Sequence, residues 1–275
     1  MLPPVPIYAL DGDNNLYLRR SCDADFKLLF RVRLFSDGEI LIGIDFRPAD
    51  GSLYALSDLG RIYTIDLTPT GGGNVVLIGA LSPRFAGGFQ SLMDFNPVVN
   101  ALRLIGSDDG NTAILNNKGN LNQTVVQTRI AYAAGDVNAG VDPNITGGGY
   151  TNNVNGARTT IMYALDYDLN TLTSPLLAAN GSSATGGGQF QTIGRLKTFA
   201  GNPVDISPTA DLDIYTDANG VNYLIGITGR ILFTIDLAQI NSALAPGRTQ
   251  DVTVRMVTLG NGGFLDIAVG APRGC

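Results

Sequence analysis

The sequence predicts an all-β fold, a five-bladed β-propeller closed by its own C-terminal strand, and three observations carry that prediction. Of 275 residues, 44% are hydrophobic and only 15% charged, while Gly alone numbers 35. With abundant Asn, Thr, Ser and Asp, this is the composition of short strands joined by tight turns. Next, the phrase "GIDFRPADGSLYALSDLGRIYTID" at 43–66 returns, worn, as "MDFNPVVNALRLIGSDDGNTAIL" at 93–115. Such internal repetition marks a repeat architecture. Last, the two chain ends hold complementary fractions of one repeat.

The elements follow in order, lettered A to D from the axis outward. The N-terminal runs "IYALD", "NLYLRR" and "KLLFRVRLF" read as strands B, C and D with no A before them. The clearest complete group has A at 40–46, B at 52–57, C at 61–66 and D at 74–80, with "ADG", "DLG" and "PTGGG" as its turns. The next has strands at 91–95, 101–106, 112–115 and 124–130. A looser group starts near Ala131 and continues through "TTIMYALDYD", "TLTSPL" and "GQFQTIGRL"; another comprises "ADLDIYT", "VNYLIGIT", "RILFTIDL" and "DVTVRMVTL". The final "GFLDIAVG" is a lone A. Placed beside the first three strands it completes a fifth sheet and leaves no long open edge at the closure.

The expected layout is therefore one domain, 1–275, with blades at 7–34 plus 263–270, 40–81, 91–130, 131–197 and 210–259. A β-sandwich of the same composition would not require complementary ends. One helix is expected at "DLAQINSALAPG", capped by Asp236 and ended by Pro246 and Gly247. The glycine runs at 71–73, 147–149 and 186–188 read as loops, with 135–157 as a long A-to-B insert. None opens a helix followed by Lys-Ser or Lys-Thr, so phosphate cradling has no support.

Composition also removes function classes. A net charge of −6 argues against a nucleic-acid partner. The chain has no His, which removes Ser-His-Asp machinery and the commonest nitrogen ligand, and its two cysteines are too few for a zinc centre. It has no apolar run of about twenty residues to span a bilayer. The start "MLPPVPIYAL" lacks the features of a signal peptide.

At "LIGIDFRPADGSLYAL", "GRIYTID", "DFNPVVNALRLIGSDDGN" and "YTNN" the chain resembles bacterial propeller proteins of the domain of unknown function 4394 family. The resemblance covers nearly the whole chain. It implies a periplasmic or extracellular location and brings no catalytic residues. Where the family carries a Pro-Pro-Asn-x-Gly turn, this chain has "TSPLLAANGSSATGGGQ".

Several residues stand out as sites. The A strands repeat an acidic position: Asp45, Asp94, Asp213 and Asp266. Around an axis they would suit a calcium-like ion or, alternatively, accept hydrogen bonds from the neighbouring blade as structural groups. "DGDNN" at Asp11 to Asn15 begins like a calcium loop but lacks its glycine and distal Glu, so it reads as a hairpin turn, as does "SDDGN" at 107–111. Arg19, Arg20, Lys27, Arg31 and Arg33 concentrate positive charge on the closing blade, for an acidic partner or headgroups, or to protect an outer strand. Cys22 and Cys275 end strands of that blade on one face, within reach of a disulfide; free thiols are the alternative.

The expected function is a non-catalytic protein-binding or scaffold module, an extrinsic subunit docked on a larger membrane-anchored envelope complex. The alternatives are a carboxylate-based glycan hydrolase or lyase, disfavoured by the absence of Trp platforms, and an ion or small-molecule binder at the propeller axis.

Overall fold

Four of the hairpins turn at a residue that adopts positive φ. Asn14 (φ 63°), Gly60 (φ 74°), Asn170 (φ 55°) and Gly229 (φ 56°) each sit in a tight turn between middle strands, where most side chains would be strained. The computed structural model describes residues 3–85, 87, 91–106, 112–115, 124–176, 188–241 and 247–271.

The strands form four sheets. The first joins β1 (Ile7–Asp11), β2 (Asn15–Arg19) and β3 (Lys27–Arg31) to β21 (Phe264–Val269), in the order β21-β1-β2-β3. The second runs β4 (Leu41–Phe46), β5 (Leu53–Ser57), β6 (Arg61–Ile65) and β7 (Val75–Ala80). The third holds β8 (Ser91–Asn96), β9 (Ala101–Gly106), β10 (Thr112–Leu115) and β11 (Thr124–Val126). The remaining strands are β12 (Ala131–Tyr132), β13 (Ile145–Tyr150), β14 (Met162–Asp166), β15 (Thr171–Pro175), β16 (Gln189–Thr198), β17 (Asp211–Thr216), β18 (Asn222–Thr228), β19 (Ile231–Asp236) and β20 (Val252–Thr258). They make one nine-stranded sheet, because β16 and β20 pair in parallel, Leu196 opposite Val252.

The last strand lies beside the first. β21 pairs antiparallel with β1, Ile7 opposite Val269 and Ala9 opposite Ile267, as the complementary ends predict. The innermost strands β4, β8, β13, β17 and β21 each lie against the next, and β21 returns to β4.

Packing follows the same circle. Five apolar clusters fill the spaces between successive layers. Tyr8 and Leu10 meet Leu41 and Ile44; Tyr54 and Leu56 meet Met93 and Phe95; Leu92 and Ile105 meet Ile145 and Met162. Leu165 and Leu172 meet Leu212 and Ile214, and Ile225 and Ile227 meet Ile7 and Ile267. Inner and middle strands are therefore buried on both faces, whereas β3 and β7 are largely exposed.

Three expectations need correction. The inner strand preceding β14 does not begin at Ala131: Ala131 and Tyr132 pair in parallel with Gln189 and Phe190, and the inner strand is β13. Gly147, Gly148 and Gly149 accordingly belong to a fully buried strand, and the reason is steric. A Cβ on Gly147 would sit 2.5 Å from the Asp211 Cα and 2.8 Å from the Leu212 nitrogen of the next inner strand. The expected helix is a 3-10 turn at Leu237–Gln239, where the Asp236 side chain accepts from the Ala238 amide; residues 242–246 lie outside the described residues. Also outside them are 107–111, Gly186, Gly187 and Cys275. Among the described residues no helix is long and apolar enough to cross a membrane.

Candidate functional site: the axial carboxylates

The inner ring is tied by carboxylates that accept amides from neighbouring strands. Asp45 on β4 accepts from the Phe95 amide of β8 at 2.8 Å, and Asp94 on β8 accepts from the Tyr150 amide of β13. On β17, Asp211 accepts from Ile267 at 2.8 Å and Asp213 from Val269 at 2.6 Å, both on β21. Asp266 on β21 accepts from Ile44 at 3.2 Å, which returns the series to β4. Four of the five inner strands thus donate a side-chain acceptor to the next strand.

The exception is Gly149. A Cβ there would lie 3.0 Å from the Ile214 nitrogen and 3.3 Å from Asp94 Oδ2. It occupies the place from which a carboxylate would reach the next strand, and Ile214 donates instead to Asp213 of its own strand.

All five aspartates are buried, between 1% and 4% exposed. Burial pushes the carboxyls of Asp45, Asp94, Asp211 and Asp266 well above the usual carboxylate range, and the charge of neighbouring aspartates adds to it. Asp213 is pushed up to about 6 by burial, opposed by the amides of Val269 and Ile214. One oxygen each of Asp45, Asp94 and Asp213 lies within 4.8 Å of the others. Asp94 Oδ1 is buried and has no hydrogen-bond partner.

A cavity of about 290 Å³ lies at the C-terminal ends of the inner strands β4, β17 and β21. Its walls include Phe46, Arg47, Tyr215, Thr216, Val269 and Gly270, residues that follow Asp45, Asp213 and Asp266 along their strands. These wall residues stand one to four positions beyond the aspartates, roughly 3–13 Å along the strands at about 3.3 Å per residue. Asn153, also on the wall, has a buried Oδ1 without a partner.

Among the sequence-predicted residues, the structure brings Asp45, Asp94 and Asp213 together and keeps Asp266 on the Ile44 amide. Sequence reading missed Asp211, although it stands two residues before Asp213 and so shares its face. It also missed Arg103, which lies opposite Asp94 in the ladder, is 3% exposed, and leaves Nε and Nη2 without partners. A lone cation inside "ALRLIG" was the available signal. Arg103 and Asn96 both hydrogen-bond the buried Tyr150 hydroxyl, opposing the upward push of burial on its pKa.

Elsewhere, the Asp11 carboxylate is occupied within its own turn, accepting from Asp13 and Asn15 amides at 2.9 Å and from the Tyr17 hydroxyl at 3.0 Å. Of the basic group, Arg19 is buried and does not belong to a surface. Arg20, Lys27, Arg31 and Arg33 are exposed, with Lys27 paired to Asp23. Cys22 is disulfide-bonded; Cys275, the other cysteine of the chain, lies outside the described residues.

Comparison with known proteins agrees with this architecture. The family described as domain of unknown function (DUF4394) matches residues 25–255. No curated protein matches the sequence. Among solved structures, a chain of a nidogen/laminin complex aligns over 98% of this chain and 99% of its own at 12% identity and a TM-score of 0.51. A protein of unknown function from Bacteroides thetaiotaomicron VPI-5482 aligns over 96% of this chain and 62% of its own at 13% identity and a TM-score of 0.50. At such identities the likeness speaks for the fold alone, an all-β, propeller-like one.

Proposed function

Because the chain belongs to the DUF4394 family, a domain of unknown function, we propose its role from its geometry: a five-bladed β-propeller serving outside the cytoplasm as a non-catalytic docking module on a larger envelope complex. Five inner strands and five inter-layer cores support the blade count. On this reading the nine-stranded sheet is two blades, β13–β16 and β17–β20, whose outer strands touch.

The observation that carries the docking role is an open, apolar outer rim. β7, "VVLIGA", ends its sheet without a single charge, and Val76 is 63% and Leu77 46% exposed. Open edges are normally blunted by charge, and exposed apolar patches mark interaction surfaces. The Gly71 to Gly73 loop leading into β7 packs on Phe30 and Arg31, so Arg31 and Arg33 adjoin this edge. An acidic extended segment of a partner protein, added as a strand, suits that combination. The bonded state of Cys22 supports an oxidising compartment. Glycan hydrolysis finds little support, because Asp45 and Asp94 are buried and accept backbone amides.

The test is affinity purification of tagged chain from envelopes of the source organism. Wild type is expected to bring down a large membrane complex, and a variant combining Val76→Asp, Arg31→Glu and Arg33→Glu is expected to lose it while melting normally. A monomeric wild type, or a variant that keeps the complex, overturns the reading.

A further inference from the structure

We propose that Asp45, Asp94 and Asp213 bind one divalent cation of calcium size at the ring axis. The donors are oxygen only, the choice of a hard cation. Dehydration selects among such ions. Mg²⁺ dehydrates reluctantly and is seldom held by a cage of protein ligands alone, whereas Ca²⁺ accepts several carboxylates in an adaptable shell, so three converging carboxylate oxygens favour Ca²⁺.

Independent observations point to a ligand there. Asp94 Oδ1 is unpartnered on a residue only 1% exposed, a costly state for a buried polar oxygen. Among the described residues no ion pair involves Asp45, Asp94 or Asp213. The cavity at the strand ends carries a second orphaned acceptor, Asn153 Oδ1, on its wall. The absence of a side chain at Gly149 keeps the space beside Asp94 clear. All five aspartates tie neighbouring strands, but only Asp45, Asp94 and Asp213 also bring an oxygen each to one point, so Asp211 and Asp266 are left out of the ligand set.

The experiment is calorimetric titration of full-length chain, stripped with chelator, with Ca²⁺ and separately with Mg²⁺. Expected are one Ca²⁺ per chain, weaker Mg²⁺ binding, and a rise in melting temperature with Ca²⁺. Asp94→Asn is expected to weaken Ca²⁺ at least tenfold, while Asp11→Asn, in the calcium-like turn, leaves affinity unchanged. No binding at millimolar Ca²⁺, equal affinity in Asp94→Asn, or loss in Asp11→Asn overturns the proposal. Should Asp94→Asn fail to fold, Tb³⁺ on wild type decides. The chain lacks Trp, so tyrosine, with Tyr150 following Gly149, must sensitise the emission, and Ca²⁺ must quench it. Absent or Ca²⁺-insensitive emission defeats the site.

Discussion

Replacing Gly147 by Ala tests whether the inner strands approach as closely as the ring demands. The added Cβ would meet the Asp211 Cα at 2.5 Å and the Leu212 nitrogen at 2.8 Å, besides an Asp211 carboxylate oxygen. Two of these are backbone atoms of β17, itself hydrogen-bonded to β18 and tied to β21, so neither a rotamer change nor a local shift relieves the clash. Overpacking of a buried site costs about 1–3 kcal/mol, and a backbone obstacle places this variant near 3 kcal/mol. For a chain of this size about 2–4 °C is lost per kcal/mol, giving a fall of roughly 6–12 °C. Scanning calorimetry measures it, with Gly12→Ala as control. A Cβ on Gly12 meets only Leu265 Cδ1, at an ordinary 3.8 Å, and its melting temperature should stay within about 2 °C of wild type. If Gly147→Ala melts with wild type, the close approach of β13 and β17 is wrong.

In chelator, stability should fall as pH rises from 5 to 8. Burial raises the folded pKa values of the axial carboxyls above the usual carboxylate range, to about 6 for Asp213, so the folded chain holds protons the unfolded one releases. That stabilisation is complete below about pH 4 and lost as pH climbs through the folded values. A melting temperature that rises over this range refutes the burial of the cluster, and calcium should flatten the curve. Tyr132→Phe removes the hydroxyl that donates to Asp166 Oδ2 at 2.8 Å between two buried residues, and should cost about 1–3 kcal/mol in denaturant unfolding. A change below about 0.5 kcal/mol would show that this bond does not form.

Much of the architecture was readable because turns and apolar alternation are local. The terminal fractions "IYALD" and "FLDIA" could be matched by eye, and β21 lies on β1. β13 was not readable, since "ITGGGY" has loop composition, and only the encroaching backbone of β17 explains it. The β16–β20 pairing likewise depends on how two outer strands converge in space. At the axis, Asp45, Asp94, Asp213 and Asp266 were visible as a repeated position. Which of them converge was not, because that depends on amides donated across strands by Phe95, Ile44 and Val269. Arg19 misled for the opposite reason. A charge count cannot tell that the side chain folds back on the Ala24 carbonyl, where burial lowers its pKa.

The sealing of the circle by the C-terminal strand is best tested by removing and returning it. A chain ending at residue 262 should lose its single cooperative thermal transition, and a synthetic peptide of residues 263–271, binding beside Ile7–Asp11, should restore it. A shortened chain that unfolds like the intact one and ignores the peptide would mean that the ring does not depend on that strand.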